Sequence, residues 1–138
     1  ADEAQLRSAL ADFAAAGIED FIVSAHLEGD LVKFYGVEGT PFFSHTYPTR
    51  ENGFSKFGLE QHNGAPAEYS FSVSALKTTA DAAARHFGMP IYGGDAVIRP
   101  DGRFFLIDFN DWPSFGSCTQ AAAEAIATRA LHFLRPGA

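Results

Sequence analysis

Residues 94–110 restrict the fold more than any other part of the chain. Two short apolar runs, Ala96-Val97-Ile98 and Phe104-Phe105-Leu106-Ile107, flank Pro100-Asp101-Gly102. Asp-Gly between such runs favours a tight hairpin turn, because both residues tolerate the positive φ that the turn needs. If Pro100 and Arg103 close a two-residue turn, counting back along both strands sets Asp95 opposite Asp108. A three-residue turn with a bulge at Gly102 displaces that pairing by about one residue. Side chains alternate along a strand, so Asp108 and Asn110 project to the same side. Two carboxylates facing each other across paired strands repel unless a cation lies between them. Asp95, Asp108 and Asn110 are therefore candidate ligands for a hard cation. The plainer alternative has Asp108 and Asn110 capping the turn that follows.

The remaining periodicities supply the partners of this hairpin. Leu6, Leu10 and Phe13 fall on one helical face and predict an amphipathic helix over 3–16, stopped at Gly17. Residues 21–27 read as a buried strand. A turn at Glu28-Gly29-Asp30 leads to a second strand over 31–37, antiparallel to the first. In that second strand Leu31, Lys33 and Tyr35 share one face, and Val32, Phe34 and Gly36 share the other. Residues 41–47 add a third strand. A helix is expected over 70–87, carrying Val73, Leu76, Ala80, Ala83, Ala84 and Phe87 and stopped by Gly88 and Pro90. A last helix, capped by Ser117 or Thr119, runs to about Leu134 with Ile126, Ala130 and Phe133 as its apolar face. Between Pro48 and Pro66 periodicity vanishes, and a loop of that length is where specificity is expected to reside. Arg50 and Lys56 within it read as solvated cations, with the gathering of acidic substrate groups as the functional alternative. The expected fold is a single α+β domain over 1–138, an antiparallel β-sheet with helices packed mainly on one face.

Composition narrows the function classes. With 138 residues and 46% hydrophobic content, fourteen Phe among them, the chain can bury a core of its own. A net charge of −7 argues against a nucleic-acid partner, although a few placed cations still suffice for a nucleotide. No apolar run approaches the roughly 18 residues that span a bilayer, and Ala1-Asp2-Glu3 has no signal-peptide character. The single Cys118 cannot form an internal disulfide, which makes a reducing, cytoplasmic setting the default expectation. The five histidines lack the spacing of a zinc site.

Three segments, in order, resemble the C-terminal part of an ATP-grasp domain: Phe21-Ile22-Val23-Ser24-Ala25-His26-Leu27-Glu28-Gly29-Asp30, Phe87-Gly88-Met89-Pro90-Ile91-Tyr92-Gly93-Gly94-Asp95-Ala96-Val97-Ile98 and Phe105-Leu106-Ile107-Asp108-Phe109-Asn110-Asp111-Trp112-Pro113. They are similar to that family's hinge strand, its "lG…GvDvi" strand and its "viEvN..P" strand, over about residues 18–135. The inositol-phosphate-kinase-like and peptide-ligase-like branches look nearest. The resemblance implies ATP and Mg2+ as cofactors. Backbone groups of Ala25 and Leu27 would meet adenine, Asp30 the ribose, and Asp95, Asp108 and Asn110 the magnesium. Lys33, from its place on the second strand, is a candidate phosphate contact. The implied function is the Mg-ATP-binding part of an ATP-dependent carboxylate ligase or small-molecule kinase, acting on an unidentified small-molecule substrate. Ser24 stands where the family more often has Glu or Gln. The family's N-terminal lobe would lie before Ala1, so the alternative is a noncatalytic module that self-associates, with a homodimer expected.

Overall fold

A computed structural model describes residues 2–48 and 65–134. Among these the chain order is α1 (Glu3–Ala15), β1 (Asp30–Val37), β2 (Phe43–Thr46), α2 (Val73–Phe87), β3 (Ile91–Ile98), β4 (Phe104–Asp111) and α3 (Thr119–Leu134). The four strands form one antiparallel sheet in the order β2-β1-β3-β4. The α+β class expected from the sequence is what the chain adopts. Arg50, Lys56 and most of the long loop lie outside the described residues.

The β3–β4 hairpin reaches the expected pairing by an unexpected route. Its turn holds three residues: Arg99 N–H donates to the Arg103 carbonyl at 2.8 Å and Gly102 N–H to the Arg99 carbonyl at 2.9 Å. Gly102 takes a φ of +79°, which a side chain would strain. Asp101 accepts the backbone N–H and Nε of Arg103, and these bonds hold its carboxyl below the usual range. This turn pairs Ile98 with Phe104 and Ala96 with Leu106, one residue out of step with a two-residue turn. Ile107 then stands as an extra residue, a β-bulge, and pairing resumes with Asp95 opposite Asp108. The two departures cancel. Their joint effect is to aim Phe104, Leu106 and Phe109 all at the core.

That core lies between one face of the sheet and α2. Val32, Phe34, Tyr92, Ala96 and Ile98 meet Leu76, Ala80 and Ala84 of α2, all buried. Each of the larger side chains contributes about 1.5–3 kcal/mol by leaving water. Helix α2 stops where the sequence predicts, at Gly88 in the left-handed region, but starts at Val73 rather than residue 70, because Ser72 caps it by accepting Ala75 N–H. The opposite, open face carries Leu31, Lys33 and Tyr35 of β1. There Pro113 lies over Gly93, 2.7 Å from where a Cβ would stand. The Phe115 ring packs on Tyr35 at 5.9 Å between centroids, and the chain then enters α3, which contacts β1.

Three expectations need correction. Residues 21–27 do not form a strand: both edges of β1 are taken by β2 and β3, so no ladder position is left beside it. Phe21, Ile22 and Val23 are consequently exposed instead of buried. The segment crosses onto the sheet at Gly29, where φ is +154° and any Cβ would collide with the Ile98 carbonyl. The buried stripe of α3 is also rotated from the expected Ile126, Ala130 and Phe133, since it buries Ala122 and Ala125 while Phe133 is exposed. Small alanines allow close approach, and Arg129, one turn on in the same stripe, reaches Glu38. The cap of α3 is neither Ser117 nor Thr119. The first helical bond runs from Ala122 N–H to the Cys118 carbonyl, and the Thr119 hydroxyl donates to the Phe115 carbonyl.

Candidate functional site

Strand alternation and register gather the site on the open face. Lys33 pairs with Asp95, and Asp95 with Asp108, so one residue from each of β1, β3 and β4 forms a row across the sheet. Lys33 Nζ lies 3.2 Å from Asp95 Oδ1. Asn110, two residues beyond Asp108 and on the same side, donates its amide N–H to Asp108 Oδ2. That bond leaves the Asn110 carbonyl oxygen available, so the row offers hard oxygens from two carboxylates and one amide. Among the described residues no group of three His, Cys, Asp or Glu side chains stands close enough to cage an ion. Two carboxylates and an amide suit magnesium, which is commonly held by one or two carboxylates with phosphates and water completing its shell.

Tyr35 flanks the row. Burial pushes its hydroxyl up from the ordinary value, opposed by Lys33 and reinforced by Cys118 and Asp95. The phenol therefore stays protonated at neutral pH, beside the row. Pro113 and Phe115 wall the same side, with Phe115 held by Tyr35 and Phe42. Trp112 takes a φ of +44° and the residue is 67% exposed, so it stands away from close packing.

The other flank is a cleft of about 790 Å³, lined by residues 24–31 with Pro48, Pro66, Val97 and Ile107. Its sheet-side lining follows from the same alternation: Val97 is two residues from Asp95, and the bulged Ile107 adjoins Asp108. About 7 Å separates residues two apart on a strand, so the apolar end of the cleft and the acidic row are continuous along one face.

Of the residues singled out from sequence, Ala25, Leu27 and Asp30 line the cleft, and Lys33, Asp95, Asp108 and Asn110 occupy the row beside it. Asp30 has a structural task as well. It is buried, and its two oxygens accept the Ala67 and Tyr69 backbone N–H groups at 2.8 and 3.0 Å, which pins the chain entering α2 to the start of β1. His26 lines the cleft, whereas His45 sits edge-on to Phe71. Val97, Ile107 and Tyr35 escaped the sequence reading. Period-two alternation from Asp95 and Lys33 points to Val97 and Tyr35; Ile107 reaches the cleft only through the bulge.

Compared with protein-family models, with curated proteins and with solved structures, the chain matches none.

Proposed function

We propose that the open face binds a magnesium–nucleoside triphosphate, as part of an ATP-grasp-type ligase or kinase. The observation that carries this reading is the continuity of a cleft, floored on the sheet by Val97 and Ile107, with a row of one ammonium and two carboxylates on a single sheet face. A nucleotide has the same division, a flat base at one end and a charged phosphate chain at the other. In this reading the base lies against Val97, Ile107 and the backbone of residues 24–28, and the phosphates run toward Lys33. Asp95, Asp108 and Asn110 hold the magnesium, which when bound offsets phosphate charge and stabilises the charge that develops in transfer. Tyr35 donates a hydrogen bond into the site, while Pro113 and Phe115 limit water on that side. The residues act by position and charge, with no covalent step of their own.

Titration calorimetry with Mg-ATP tests the reading. The expected result is saturable binding to this chain that Asp108→Ala weakens at least tenfold, since a carboxylate–metal contact is lost. Absence of binding, or binding indifferent to Asp108→Ala, would remove the claim. Phosphate or ADP release in a substrate screen separates an enzyme from a binder.

A second reading has its own observation. Helix α1 buries none of its residues, and Ile22 and Val23 are 94% and 62% exposed. Apolar surface of that kind marks an interaction site, and it supports a self-associating module, with or without catalysis.

A further inference from the structure

Residues 19–28 lie outside every helix and strand, and all of them but Leu27 are exposed. Among the described residues their backbone groups take part in no hydrogen bond. Phe21-Ile22-Val23 is nevertheless strand-forming sequence. A run of free N–H and C=O groups on such sequence is a template for pairing with another strand. The strand it leads into, β1, already has β2 and β3 as neighbours. Strand alternation would put Phe21, Val23, Ala25 and Leu27 on one face and Asp20, Ile22, Ser24 and His26 on the other. The free chain shows the same division: the Phe21 ring lies 6.0 Å from that of Phe13 in α1 and Leu27 lines the cleft, whereas Ile22 is 94% exposed.

We infer that residues 19–27 of two copies of this chain pair as antiparallel strands about a two-fold axis at Val23. The inference rests on the self-association reading and gives it a segment and a register. Facing residues must share a face of the ribbon, so the axis falls on a residue and each shift moves it by one. With the axis at Val23, Asp20 stands opposite His26 of the partner subunit, a carboxylate facing a ring N–H donor. Phe21 then faces the small Ala25 of the partner subunit, and Ile22 faces Ser24 of the partner subunit. An axis at Ser24 would set Asp20 against Glu28 of the partner subunit, and like charges directly opposite are destabilising. An axis at Ile22 leaves Asp20 opposite Ser24 of the partner subunit, with no charge met. Charge complementarity therefore selects a second copy at one register, in the isologous manner of a two-fold dimer. A two-stranded ribbon needs a helix or a third strand behind it, and α1 supplies one through Phe13 on Phe21.

Disulfide cross-linking of the full chain tests the pairing, in a Cys118→Ser background that leaves one thiol per copy. Circular dichroism verifies each fold, and sedimentation velocity reports the dimer without cross-linking. Val23→Cys places both thiols at the axis, where facing Cα atoms about 5 Å apart are within disulfide reach, and should give a covalent dimer on mild oxidation. Phe21→Cys lies four residues from its own counterpart, about 14 Å and too far to bridge. Neither Phe21→Cys nor Ala25→Cys should therefore cross-link alone, whereas a mixture of the two should. Asp20→Lys should weaken the dimer about tenfold, since symmetry counts each facing pair twice, and adding His26→Asp should restore it. If the chain sediments as a dimer but forms none of these cross-links, the copies meet elsewhere: the pairing is wrong and the self-association reading survives. Phe21→Cys cross-linking alone as readily as the mixture overturns the register, and so does a charge swap that restores nothing. A wild-type monomer throughout micromolar concentrations overturns both the pairing and the self-association reading, the result expected if a strand of another protein were the occupant.

Discussion

Tyr92 shows how single residues tie this molecule together. It is fully buried, its ring stacks on Phe109 at 5.3 Å, and its hydroxyl donates to Asp81 Oδ1 at 2.8 Å. The other Asp81 oxygen receives Lys77. Burial, followed by the bond to Asp81 and its charge, pushes the Tyr92 hydroxyl far above its ordinary value. The folded form thus keeps its proton at pH values where an unfolded tyrosine, ordinary value 10.0, loses it. Its stabilising effect is complete below about pH 10 and declines as pH rises further. Tyr92→Phe is expected to lower stability at pH 7 by about 1.5–3 kcal/mol, the worth of a hydrogen bond to a charged group. The variant should also lose less stability than wild type between pH 9.5 and pH 11 (by about 1 kcal/mol or more). Urea denaturation across that range measures both effects. Glu38 has a comparable part at the end of β1, where its carboxylate takes Arg85 of α2 and Arg129 of α3 at 3.2 Å each.

At the scale of elements, strand identity was legible where burial follows simple alternation, as in β1, where Val32 and Phe34 point to the core and Lys33 and Tyr35 away. Helix α2 was legible because its apolar stripe and its stops agree. Residues 21–27 misled because an apolar run reads alike whether it enters a ladder or crosses a surface, and only the neighbours of β1 decide between the two. The hairpin is more instructive. Phe104, Leu106 and Phe109 are spaced two and then three apart, which no regular strand can point to one side. That spacing demands the bulge at Ile107, and the bulge in turn restores Asp108 to face Asp95. The three-residue turn depends on Gly102 at a φ of +79°. Gly102→Ala is expected to cost about 1–2 kcal/mol, the penalty of an L side chain in the left-handed region. Chemical denaturation would report it, and a loss below about 0.5 kcal/mol, the scatter of surface substitutions, would mean that the turn rearranges.

For the molecule as a whole, the sheet is covered unevenly. Among the described residues, one face is closed by α2 and the other by Pro113, Phe115 and α3 over part of its area, beside the cleft and its acidic row. Among the described residues no helix is long and apolar enough to cross a membrane. The exposed apolar side chains of α1 and of residues 18–23 instead motivate the second reading, a dimer of this chain. Sedimentation velocity over micromolar concentrations is expected to show a monomer–dimer equilibrium. Ile22→Asp should weaken it at least tenfold, given about 1.5–3 kcal/mol for a buried side chain of that size; a monomer throughout would exclude the dimer. Local periodicity and turn chemistry suffice for the strands of the hairpin, the C-terminal stop of α2 and the residue types of the acidic row, and all three were legible in the sequence. Only the tertiary structure decided that β1 lies between β2 and β3, that Lys33 stands beside Asp95, and that a cleft opens next to them. Lys33 and Asp95 are 62 positions apart in the chain, and local periodicity carries no information about which strand edges meet.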